Sequence, residues 1–197
     1  MSSMLKPEIH QPSELYDAIV QYYRAQIAAG DSADVVVSGH HDFIPEQAAS
    51  RQILVEVGSA ESGPQKNDGR VCLVFECTLY GVISKAEQDA AYQAMNLATA
   101  LARHLKHQSW GFSGLAVDDP EQIKLAESFL INGTDKHAGF EAWEVRWQQK
   151  VNLGSPQYED EVVSGIWLAV NPDDPDDINE YREVTDLCLN NSISEQS

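Results

Sequence analysis

His40, His41 and Asp42 are the first residues along the chain whose types suit chemistry, because imidazole and carboxylate together can bind zinc or iron. Adjacent side chains project in different directions, and no HxxxH or matching carboxylate motif completes a coordination sphere. The plainer meaning is a polar turn after a strand. A second cluster, RHLKH, sets Arg103 and Lys106 beside His104 and His107. Cations gather at helix C-termini because they interact favourably with the helix dipole, typically by about 0.3–1 kcal/mol each when exposed. The sharper alternative is a patch that docks an acidic surface, such as a neighbouring subunit's. No GxSxG, GxGxxG or GxxxxGK[ST] string occurs, so neither a nucleophile elbow nor a phosphate loop is signalled. No catalytic residue, metal or cofactor is expected.

The elements that must carry these residues follow from periodicity. Leu15, Ile19, Tyr23 and Ile27 repeat every fourth residue and predict a helix from Ser13 to Ala29, after a flexible lead over residues 1–12. Extended segments follow at 34–38, 52–57 and 70–80. The last sets Val71, Leu73, Phe75, Cys77 and Leu79 on one face, with Cys72, Val74, Glu76, Thr78 and Tyr80 on the other. Between the second and third, the polar stretch 58–69 reads as a mobile hairpin loop. Ser84 and Glu87 have the spacing of a capping box for a long second helix, whose apolar stripe is Ala91, Ala94, Met95, Ala98, Leu101, Ala102 and Leu105.

Further strands are expected at 122–132, 140–153 and 166–170. In the long one, Trp143, Val145, Trp147 and Val151 alternate with Ala142, Glu144, Arg146, Gln148 and Lys150, the pattern of an antiparallel strand with one wet face. On that face Glu144 and Arg146 are candidates for contact with another subunit. The order of elements predicts an α+β fold: a single mixed or mainly antiparallel sheet packed against an N-terminal helix and a long second helix. Residues 13–171 would form one domain and 172–197 an acidic tail.

The 197 residues carry 13 basic and 31 acidic side chains, a formal charge of −18. Residues 159–197 hold 11 acids against Arg182 alone, leaving −10 there, while the other 158 residues carry 12 bases and 20 acids, −8. So acidic a chain lacks the basic face that binding to DNA phosphates or anionic membranes requires. Within the tail, DDPDD places Asp173, Asp174, Asp176 and Asp177 around a proline that forbids a helix, as a solvated loop or a surface facing DNA or a basic partner. Glu8, His10, Glu14 and Asp17 interrupt any signal-peptide pattern, and no apolar run is long enough for a membrane helix, so a cytosol-like compartment is expected. Cys72 and Cys77 lie an odd number of residues apart on one strand and therefore cannot pair with each other; Cys188 is remote, so all three read as thiols.

The segments FEAWEVRWQQKVNLG at 140–154, IWLAVNPDDPDDINEYREVTD at 166–186 and QILVEVG at 52–58 resemble the tail terminator, or tail completion, proteins of long-tailed bacteriophages. The order of elements is similar too, from the opening SELYDAIVQYYRAQI to the long helix ahead of the final strands. The resemblance covers most of residues 13–186. It implies a non-enzymatic virion protein, assembled in the host cytoplasm, that forms a hexameric ring on the end of the tail tube. There it stops tube polymerisation and joins the tail to head-completion or neck proteins, while DNA passes without specific binding. Its partners would be itself, the tail-tube protein and the neck proteins. The alternatives are another head-tail joining or tail-tube protein, an acidic DNA mimic that inhibits a nuclease, and a small hydrolase built on His40, His41 and Asp42.

Overall fold

The computed structural model describes residues 6, 8–29, 34–65, 67–128 and 139–157, together with the backbone pairing of 167–168 with 182–183. The chain divides into two compact units, 1–157 and 158–197, whereas composition places its division at 171/172. With Tyr158 uncharged, the first unit carries −8 and the second −10.

The first unit is an α+β fold with one mixed five-stranded sheet and two helices. Strand β1 (Val35–Gly39) runs parallel to β2 (Arg51–Ser62), and the antiparallel strands β3 (Val71–Ser84), β5 (Phe140–Leu153) and β4 (Glu121–Glu127) follow in the order β1-β2-β3-β5-β4. Strands β3 and β5 pair along their whole lengths, from Val71 opposite Leu153 to Ser84 opposite Phe140. Because side chains alternate faces, Phe75, Cys77, Leu79, Val145, Trp147 and Val151 all lie on the same side, where the main core is.

Helix α1 (Pro12–Ala29) lies beside β1 and β2, and α2 (Ala90–Leu105) beside β3 and β5. The α1 periodicity holds, with Leu15, Ile19 and Tyr23 buried. Small residues bring α2 close to the sheet. A Cβ at Gly81 would sit 3.1 Å from the Ala98 amide nitrogen and 3.3 Å from the Ala94 carbonyl oxygen, so the bare glycine and the buried Ala94 and Ala98 set the spacing. One polar group crosses this core: Gln149 Oε1 accepts from the indole N–H groups of Trp110 at 2.9 Å and Trp147 at 3.1 Å. Gln149 Nε2 donates to the Asp118 carbonyl, so a fully buried amide is satisfied at both ends.

Several local expectations are corrected. The capping box does not start α2, because Ser84 ends β3, its N–H bonded to the Ser50 carbonyl; the helix begins at Ala90 after Asp89, whose φ of 54° is left-handed. The stripe accordingly shifts to Ala90, Ala94, Ala98, Leu101 and Leu105, with Ala91 exposed. Part of the 58–69 stretch is ladder rather than loop: after a bulge between Val57 and Ala60, Ala60, Glu61 and Ser62 pair with Phe75, Val74 and Leu73. The strand expected at 122–132 is found as β4, exposed along its length, and 129–132 lie outside the described residues. The supposed wet face of β5 is buried at Ala142 and Glu144. Part of the 1–12 lead is pinned: Ile9 is fully buried, and Lys6 exchanges backbone hydrogen bonds with Gly111 and Ser113.

Neither Cys72 nor Cys77 forms a disulfide, and Cys72 lies opposite Asn152 on the face away from the helices. Among the described residues no helix is long and apolar enough to cross a membrane. In the second unit, β6 (Trp167–Leu168) and β7 (Arg182–Glu183) form a two-stranded antiparallel ribbon. The remainder of the strand expected at 166–170 lies outside the described residues, as do Asp173, Asp174, Asp176, Asp177 and Cys188.

Candidate functional site: the second face of the sheet

The face of the sheet turned away from the helices has two parts. At one end Leu54, Tyr80, Val82, Phe140 and Ala142 form a small apolar cluster, covered by Phe43 and Ala48 from the segment after β1. Beside it lies a polar shelf, a concavity of about 400 Å³ open to solvent. Glu56 and Glu76 stand on its β2–β3 side, Arg146 and Lys124 on its β5–β4 side, with Thr78 between them.

Pairing explains the arrangement. Glu56 is opposite Thr78, Thr78 opposite Arg146, and Arg146 opposite Lys124, so one cross-strand row runs from a carboxylate to two cations. The Tyr80 hydroxyl donates to Glu56 Oε2 at 2.5 Å. Burial, reinforced by this bond, pushes the Tyr80 pKa above its ordinary value. Glu144 is only 4% exposed; its Oε1 lies 2.6 Å from Arg146 Nη2, and its Oε2 has no hydrogen-bond partner among the described residues. A buried carboxylate is tolerated when a cation holds it, so Glu144 fixes Arg146 at the margin of the shelf.

Arg146 and Lys124 meet on the shelf, whereas Glu144 lies beneath and is not a surface contact. Glu144 and Arg146 pair with each other within one strand, and Arg146 remains largely exposed. Arg103 and Lys106 are exposed at the end of α2, Arg103 in the last turn and Lys106 just past it. His104 packs its edge against Tyr22, and His107, already outside the helix with a φ of 59°, binds Asp119 at 2.8 Å. His40, His41 and Asp42 form a single tight turn whose members serve different neighbours. His40 stacks on Tyr80 with ring centroids 4.8 Å apart, while His41 lies 3.4 Å from Asp42 Oδ1 and near the Tyr16 ring. Among the described residues no three His, Cys, Asp or Glu side chains are grouped to hold a metal.

Glu56, Tyr80 and Lys124 were not singled out by motif. The available signal was the polar Glu76, Thr78, Tyr80 series in β3, but Lys124 joins it only through the pairing of β4 with β5. The shelf offers charge matching and hydrogen bonding over an open surface. No protein-family model and no curated protein sequence matches the chain.

Proposed function

We propose that this chain is a structural protein of the head-tail junction of a long-tailed bacteriophage, a ring-forming cap on the tail tube that ends its polymerisation and joins the tail to the head-completion proteins. The observation that carries the reading is the order of elements. The segments that resemble tail terminators, 52–58 and 140–154, fall in β2 and β5, the two strands that flank the central β3 of one mixed sheet, with α1 before the strands and the long α2 ahead of β5. The charge of −18 is compatible with a ring through which DNA slides, since a surface that bound phosphates would retard it.

Purified protein is tested by light scattering and by negative-stain microscopy with isolated tail tubes. Rings seated on tube ends are the expected result. A strict monomer that never binds tubes overturns the reading, and long polymers formed by the protein alone identify it as a tube protein instead.

A further inference from the structure

Strand β4 is the outermost strand of its sheet, and all seven of its residues are exposed. The ladder phase is set by the Ser128 N–H, which bonds to the Ala142 carbonyl at 3.0 Å. Two residues per repeat then place the N–H and C=O of Leu125 away from β5, toward the outer edge of the sheet. Ile123 and Leu125 are each 41% exposed, and Leu125 lies opposite Val145 on the helix-layer side. The other side of β4 presents Lys124.

Lys124 lies directly opposite Arg146, and like charges across a ladder are destabilising. Glu144 engages Arg146, but no carboxylate pairs with Lys124 among the described residues. Among the described residues Lys124 is thus a cation beside another cation with no carboxylate of its own, a place where an added negative group would be favoured. An added strand would supply one: the residue opposite Lys124 shares its face, and the two residues flanking it fall over Ile123 and Leu125.

We propose that the outer edge of β4 is a docking site for an extended segment of a partner protein with one acidic residue between two apolar ones. Edge pairing satisfies the outward backbone groups, the apolar pair covers Ile123 and Leu125, and the acid neutralises Lys124. A second copy's β1 is a poorer occupant. It carries Val36 between Val35 and Val37, where Lys124 calls for an acid. The proposal goes beyond the tail-tube reading and does not depend on it.

The test titrates the isotope-labelled full chain with a terminally blocked peptide of Val-Glu-Val centre, following backbone amide shifts of β4. The expected result is saturable shifts centred on Leu125, about tenfold weaker binding of a Val-Lys-Val peptide, and loss of binding on N-methylating those peptide amides that face the outward groups of β4. Lys124→Glu, at an exposed position that leaves the fold intact by circular dichroism, should reverse the preference of the two peptides. Equal binding of all three peptides, absence of β4 shifts at millimolar peptide, or tighter binding of a peptide spelling residues 34–38 would overturn the proposal. The tube-capping assay scores the other reading separately.

Discussion

The two faces of the central sheet are made by the same strands and obey different physics. On the helix-covered face, Phe75, Cys77, Leu79, Val145, Trp147 and Val151 pack with α1 and α2, and the one buried amide, Gln149, has both ends satisfied. On the opposite face the same alternation yields a short apolar patch and then a row of charges, with one carboxylate oxygen of Glu144 unpartnered among the described residues. Buried apolar area stabilises the first face, whereas the second carries unmatched electrostatics that a binding partner can use. Stability and recognition are thus separated by the period of two.

The largest effect expected from this division is at Trp147. Trp147→Ala removes a ring that is 2% exposed and leaves two-sided packing unfilled, at a cost of about 3–5 kcal/mol in urea unfolding. A loss below about 1 kcal/mol would show that the helix layer is not the main source of stability. On the second face, Arg146→Ala deletes a largely exposed side chain and yet should cost about 1–3 kcal/mol, because it strands Glu144. The double variant Glu144→Met with Arg146→Ala should recover most of that loss, since no buried charge then remains. If the double variant is as unstable as the single one, the cost lies in packing rather than in the stranded carboxylate.

The helix-covered face also responds to alkali. Burial pushes the Cys77 thiol up from 9.0 to about 12, and burial raises Tyr23 as well. The folded pKa exceeds the unfolded one, so the contribution of Cys77 is fully present below pH 9. It declines as the pH rises from 9 to 12, where the unfolded chain releases a proton that the folded chain keeps. Unfolding free energy should therefore fall across that interval, and Cys77→Ala should flatten the fall. An unchanged slope in the variant would assign the alkaline loss to the tyrosines.

Much of this division is legible in the sequence, because period-two alternation in 71–80 and 140–153 sorts residues by face before any contact is known. What alternation does not carry is coverage. Glu144 falls on the side away from the helices as its spacing requires, yet it is only 4% exposed, and on the same face a segment about a hundred residues earlier lays Phe43 and Ala48 over the neighbouring apolar cluster. The opposition of Lys124 and Arg146 depends on strand order and on a bulge near Gln122, whose φ of 52° re-phases β4; neither leaves a local trace. Ser84 illustrates competition between levels: its capping pattern is genuine, but pairing with Phe140 draws it into β3.

The smallest effect is expected where neither face is involved. Arg103 and Lys106 lie at the C-terminal end of α2, exposed and without an ion pair among the described residues. Arg103→Glu with Lys106→Glu should lower stability by about 1 kcal/mol at low salt, the size of a reversed helix-dipole interaction, and the loss should shrink as salt screens it. Assembly at low salt should be unaltered if the cluster answers only to the helix dipole. A collapse of assembly with folding intact would instead make this cluster a docking surface, and recognition would then no longer belong to the second face of the sheet alone.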